Sequence, residues 1–427
     1  MKKLVLAVTS LLLLNTLTAQ TTLTAIKCGS LMDGKSSTPI PNAVIIIANN
    51  KIQAILKDGK VPTEITNIID LSNETVLPGL IDCHTHVLLQ GDITSEDYDV
   101  QLLKESIPYR TLRASVACKT ALMNGFTTIR DLETEGAMYA DVDLKKAINN
   151  GVIPGPRMFV STRAINTTGH YPLINKEYAW ELQMPKGIQE ITGADEARRA
   201  TREQISYGAD WIKIYADRGY YKTPDGAYRS IPNFTKEEIQ AIGDETIKSR
   251  KKLAAHAVTR DGILYAIQAG ASTIEHGFGM DDECIQEMVS KGVYWCPTIY
   301  VNEFVAEGRA KAGSAINKQF SETLPATFAK ALKGGVKIAF GTDVGGFDWK
   351  DNEAKEFSYM VKFGMTPQQA IQSATTTAAA LLDMQGKIGE ITPGAFADII
   401  ALKGNPLKNI SLLEKIDFVM KDGVVYK

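Results

Sequence analysis

Apolar and polar positions along this chain fall into two regimes. Between Leu77 and Leu382, helical stretches end in Gly or Asn and a short apolar strand follows. Asn124-Gly125 precedes Phe126 to Arg130, Gly208 precedes Trp211 to Tyr215, and Gly334-Gly335 precede Val336 to Phe340. Glycine just past a helix end supplies the left-handed conformation that stops it. The pattern predicts eight strands: Val76–His86, Phe126–Asp131, Arg157–Arg163, Trp211–Ala216, Lys252–Val258, Ser272–His276, Val293–Pro297 and Lys337–Asp343. Strands alternating with helices imply a parallel sheet, and eight such units imply a closed (β/α)8 barrel. The rival, an open doubly wound sheet, normally carries a Gly-rich phosphate loop after its first strand. Here that place holds His84-Thr85-His86.

The flanks are patterned differently. Ala43 to Ile47 and Lys51 to Leu56 are apolar-rich runs joined at Asn49-Asn50, a hairpin signal. The far end repeats this: Ala397 to Leu402 is apolar, and Ile416 to Met420 and Val424 to Tyr426 flank Lys421-Asp422-Gly423. Two strand-rich ends around a long middle suggest one small β-domain made from both. The expected division is therefore 1–20, 21–76 (first part of the β-domain), 77–384 (barrel) and 385–427 (second part).

Residues 1–20 stand apart. Lys2 and Lys3 precede an apolar run from Leu4 to Leu14, and small or polar residues lead to Ala19. That is the layout of a secretory signal peptide, and the run is too short to span a bilayer comfortably. The expectation is an exported protein, periplasmic or secreted; mass spectrometry finding these residues still attached would refute it.

Composition narrows the classes little. The 427 residues are 44% hydrophobic and 22% charged, ordinary for a folded enzyme. A net charge of −2 gives no electrostatic reason to expect nucleic acid or an anionic membrane as partner. The expected partner is a small-molecule or dipeptide substrate, with self-association left open. Cys28, Cys83, Cys118, Cys284 and Cys296 include no CxxC pair, so they read as small buried residues.

The chemistry concentrates in few residues. Of five histidines, His84, His86, His256 and His276 fall at the C-terminal ends of predicted strands one, five and six. In a barrel those ends form the active-site face. His84 and His86 are two apart, so on a strand both imidazoles face one way, as a divalent metal requires. Lys213, inside the apolar run Trp211 to Tyr215, puts an ammonium where burial is costly unless it is paired or neutral. A neutral amine there can add CO2 to become a carbamate able to bridge two cations. Asp343 ends the eighth strand, where an aspartate is either a helix cap or, in register with the histidines, a metal contact.

These motifs together, LPGLIDCHTHV, DWIKIYAD, LAAHAV, TIEHG and FGTDVG, resemble the metal motifs of the amidohydrolase superfamily. The similar branch is imidazolonepropionase-like and prolidase-like, with Xaa-Pro and Xaa-Arg or Xaa-Lys dipeptidases. The resemblance covers Ile26 to Lys427, and it implies a distorted (β/α)8 TIM barrel with a small β-sandwich from both ends. It implies two divalent metal ions, expected to be zinc. His84, His86 and Asp343 would hold one, His256 and His276 the other, with carboxylated Lys213 and a hydroxide as bridges. Asp343 would move the proton during attack on an amide carbonyl. His170, preceded by Gly169, would be a catalytic contact to substrate.

The segment from Asp217 to Phe234 reads as a pocket-shaping loop carrying Arg218, Tyr220, Tyr228 and Arg229. Tyr228 and Arg229 are its substrate-binding candidates, the arginine as a carboxylate anchor. The expected reaction is cleavage of the amide bond of a dipeptide or N-acyl amino acid. Cyclic-amide hydrolysis is a second possibility, which Lys213 disfavours, since mononuclear members of that kind generally lack the bridging lysine. Lactonase, esterase or phosphotriesterase chemistry would use the same metal pair. A non-catalytic binding protein would be expected to lack one of these ligands.

Overall fold

The computed structural model describes residues 22–171, 179 and 181–427; the predicted signal peptide lies outside the described residues. Both chain ends build one eight-stranded sheet. Leu23–Leu31 pairs antiparallel with Val44–Ala48 and parallel with Asn67–Pro78. Val44–Ala48 and Lys51–Leu56 form the predicted hairpin, with Asn49 at φ +55° in its turn. Ile399–Leu402 then pairs with Asn67–Pro78, and Phe418–Lys421 and Val424–Val425 extend that edge. Asp422 and Gly423 take consecutive positive φ values of +50° and +77°, the signature of a type I′ hairpin turn. As expected, both chain ends contribute to one small β-domain, whose hydrogen-bonded sheet buries apolar side chains on both faces. Ile26, Ile45 and Ile47 lie on one face, and Ala25, Val44 and Ile46 on the other.

The predicted strand Val76–His86 is two strands meeting at Pro78-Gly79. Gly79 donates its N–H to Asp398 in the small sheet, and Leu80 donates to Gly125 in the barrel. A Cβ on Gly79 would sit 2.1 Å from Thr127 Oγ1, so glycine alone lets the chain pass from one sheet to the other.

The barrel strands run in parallel and in the predicted order. Leu80–Thr85, Phe126–Asp131 and Arg157–Val160 form one three-stranded sheet. Ile165–Thr167, Trp211–Tyr215, Lys252–Thr259, Thr273–Gly279, Tyr294–Cys296 and Lys337–Ile338 belong to a second, edged by Gln189–Ile191. The barrel is thus distorted, its ladder interrupted at two seams. Backbone bonds cross both: Cys83 N to Phe340 O (2.9 Å), Asp343 N to His84 O (2.7 Å) and Asp210 N to Val160 O (2.8 Å). The outer helices are amphipathic; Ile107–Met123 buries Ala114, Ala117, Cys118, Ala121 and Leu122 at helical spacing.

The predicted loop from Asp217 to Phe234 is mostly a β-hairpin, Asp217–Lys222 with Tyr228–Pro232. Its anchor is the buried Asp217 carboxylate, which accepts from Val258 N, Thr259 N and Ser230 Oγ. All five cysteines are buried and unpaired. No described helix is long and apolar enough to cross a membrane.

Candidate active site

The barrel interior is unusually polar at one end. Arg130, Lys213, His84 and Glu275 are essentially fully buried. His84 Nε2 and His86 Nε2 both face Asp343 Oδ1, at 3.6 and 3.1 Å. Ligand atoms of these three residues lie within 4.8 Å of one another. The His276 ring is 5.0 Å from that of His84 and 4.5 Å from that of His256. Strand registry brings these residues together: Tyr215 is level with His256, and Ala257 with His276, on neighbouring parallel strands. Lys213, on the strand beside His256, lines the same cavity.

Protonation follows burial. Desolvation, helped by the Lys213 charge, lowers His84 to about 4. His256 and His276 are also pushed well below the usual imidazole range by burial. Burial acts the same way on His86, but the Asp343 carboxylate outweighs it and raises the ring to about 9. Burial opposes ionisation of Asp343, and the surrounding imidazoles reverse this, holding it well below the carboxylate range. Desolvation lowers Lys213 from its ordinary value, against the pull of Glu275, Glu133 and Asp343. No described carboxylate is within ion-pairing distance of its Nζ.

These residues fit a divalent cation. His84 Nε2 is buried without a hydrogen-bond partner, a costly state that a metal would relieve. Its other nitrogen, Nδ1, donates to Glu275 Oε2 at 2.8 Å, which fixes the proton there and leaves the Nε2 lone pair facing Asp343. Arg130 Nη2 in turn donates to Glu275 Oε1 at 2.9 Å, and Arg130 Nε donates to Cys83 O. Tyr220 Oη contacts His256 Nε2 at 2.5 Å, leaving Nδ1 as that ring's open nitrogen. Glu133, Glu135, His276, Thr298 and Asp343 all take positive φ, a strained conformation for non-glycine residues that clusters at functional sites.

The cavity above these groups encloses about 810 Å³, counting its open mouth. Arg218 lies on its wall, its guanidinium 4.9 and 4.6 Å from the Tyr171 and Tyr215 ring centres. Tyr215 donates its hydroxyl to Glu133 (2.5 Å) and Tyr171 donates to Glu135 (3.0 Å). The predicted substrate residues His170, Tyr228 and Arg229 stand outside this wall. Arg229 faces Asp261 at 3.2 Å, and Tyr228 donates to Gln319 O while packing on Phe320. His170 is exposed, its Nδ1 3.0 Å from Thr167 Oγ1.

Sequence reasoning missed Glu275 and Arg130. Their signal was present as two charged residues inside barrel strands, which are buried on both faces, where an unpaired charge is prohibitively costly.

The profile of the amidohydrolase family matches residues 75–426. The chain belongs to the amidohydrolase family. Like other amidohydrolases it is a hydrolase acting on carbon–nitrogen bonds. Among curated relatives, ochratoxinase of Aspergillus niger is 31% identical, the alignment covering 96% of this chain and 88% of the relative. Among solved structures, a Xaa-Pro dipeptidase with bound methionine in its active site is 36% identical with a TM-score of 0.84. It covers 95% of this chain and 100% of its own. The Aspergillus niger ochratoxinase structure superposes with a TM-score of 0.81 at 28% identity, covering 96% of each chain.

Proposed function

We propose that this amidohydrolase cleaves the amide bond of a dipeptide or N-acyl amino acid at a centre of two divalent metal ions, zinc by preference. The supporting observation is the convergence of His84, His86, His256, His276, Lys213 and Asp343 at one end of the barrel, with His84 Nε2 unpartnered. His84, His86 and Asp343 would hold one ion, His256 and His276 the second, and Lys213, carboxylated on Nζ, would join them. Bound there, such ions supply Lewis-acid polarisation of a carbonyl and activate water near neutral pH.

The chain's own groups account for the remaining work. Burial favours the neutral Lys213 amine, the form that adds CO2. Glu275 and Arg130 hold the His84 ring in its tautomer. Asp343, ionised and at the cavity floor, takes the proton of the attacking water and returns it to the departing nitrogen. The wall of Tyr171, Tyr215 and Phe278 excludes bulk water from one side. The dipeptidase neighbour with bound methionine favours an amino acid as one product, and membership of the amidohydrolase family favours an amide over an ester.

Metal analysis of the purified enzyme, alongside a panel of dipeptides, N-acyl amino acids, lactones and phosphotriesters, tests this. Two ions per chain and amide turnover are expected, and Lys213→Ala is expected to lose both an ion and activity. About one ion per chain, or a fully active Lys213→Ala enzyme, would remove the bridged centre.

A further inference from the structure

Arg218 is unusual among the cations of this protein. Arg130, Arg157, Arg202, Arg229, Arg260 and Arg309 each face a carboxylate. Arg218 has no hydrogen bond or ion pair among the described residues, and its Nε is buried without a partner. Yet it is not loose: its guanidinium carbon sits over the rings of both Tyr171 and Tyr215, which pack edge to face with each other. Those rings are themselves fixed, because Glu133 and Glu135 accept their hydroxyls on the far side. A guanidinium carries five donors in a planar fork that matches a carboxylate. Those donors have no protein partner among the described residues, and they stand on the wall of the cavity that contains Lys213, His256 and Asp343.

We infer that Arg218 is the subsite for a carboxylate on the substrate, so that the enzyme selects amides of α-amino acids with a free carboxyl group. The inference rests on the amide-hydrolase reading above and names the residue that holds the carboxylate such substrates carry. The guanidinium, already seated against two rings, loses little freedom on binding, which favours affinity. Arg229, the other arginine of the same hairpin, cannot serve without giving up Asp261. The rival role for Arg218 is purely structural, as a countercharge to Glu133 and Glu135 across the tyrosine rings.

The test compares N-acyl-L-amino acids with their C-terminal carboxamides, which keep the scissile bond and lose only the anion. Wild-type enzyme is expected to favour the acids in kcat/KM by about ten- to a hundred-fold, the range for a charged hydrogen-bonded contact. In Arg218→Met that ratio should collapse toward one, mainly through KM, with Arg218→Lys intermediate because a point charge lacks the fork. A wild-type ratio near one, or equal loss on both series in Arg218→Met, overturns the subsite. Calorimetric binding of free L-amino acids against their carboxamides separates the two claims. Carboxylate-selective binding without amide turnover keeps the subsite and removes the amidase reading; amide turnover without carboxylate preference does the reverse.

Discussion

Glu275→Gln is the sharpest probe of the barrel interior. The substitution keeps the side-chain shape but removes the charge between Arg130 Nη2 (2.9 Å) and His84 Nδ1 (2.8 Å), all three residues being fully buried. Breaking one side of a buried ion pair costs ~3–5 kcal/mol, because the surviving charge is left uncompensated. Unfolding entropy of ~2.1 cal/mol/K per residue over 427 residues gives ~0.9 kcal/mol/K if the chain melts as a unit. The metal-free variant should therefore melt about 3–6 °C below wild type. Two further readouts separate a lost charge from general damage. Arg130→Met added to Glu275→Gln should recover part of the loss, since the orphaned cation is then gone. Competition with a graded series of chelators should show metal affinity down by about ten- to a hundred-fold, the usual cost of removing the carboxylate behind a ligating histidine. Unchanged melting and unchanged chelator competition would refute the orienting role of Glu275.

Two further pairings bear on stability and specificity. Arg229→Ala removes a partly exposed ion pair with Asp261, so calorimetry should register a loss of at most about 1 kcal/mol. Its kcat/KM ratio for acidic over neutral substrates should match wild type; a selective loss on acids would put Arg229 in contact with substrate. Glu356 is buried, accepts from Ile299 N and Tyr300 N, and is raised to about 8 by burial. Its folded value lies above its unfolded value of 4.5, so the folded state binds the extra proton between them, and stability falls as pH rises through that window. Thermal midpoints of wild type and Glu356→Gln, both metal-stripped, should diverge between pH 5 and about 8 in the variant's favour; parallel curves would contradict the shift.

Much of this architecture was legible in the chain, for local reasons. Helix-stopping glycines and apolar runs are properties of neighbouring residues, so the barrel strands and both hairpin turns could be placed before any contact was known. The extents were harder. Lys337–Asp343 is regular only over Lys337–Ile338, because beyond it the backbone bonds across a seam to the first strand. The Pro78-Gly79 joint was hidden inside one apolar run, since only the approach of Thr127 reveals why the strand must change sheets there. Four histidines announced themselves at the ends of expected strands, and Lys213 as a charge inside an apolar run. The sequence favoured Arg229 over Arg218 as the carboxylate anchor, because Asp261, which occupies Arg229, and Tyr171, which packs on Arg218, are distant in the chain. Glu275 was passed over beside His276, as its partners Arg130 and His84 come from other strands.

The shared sheet also imposes an order on assembly. Asn67–Pro78 forms its bonds with Leu23–Leu31 early in the chain, but its other neighbour, Ile399–Leu402, is translated more than three hundred residues later. Throughout that interval one edge of Asn67–Pro78 offers bare amides and carbonyls to any passing strand. The last strands therefore act as a latch: they seal a template that would otherwise recruit other nascent chains, and they close only around a barrel that has been completely synthesised.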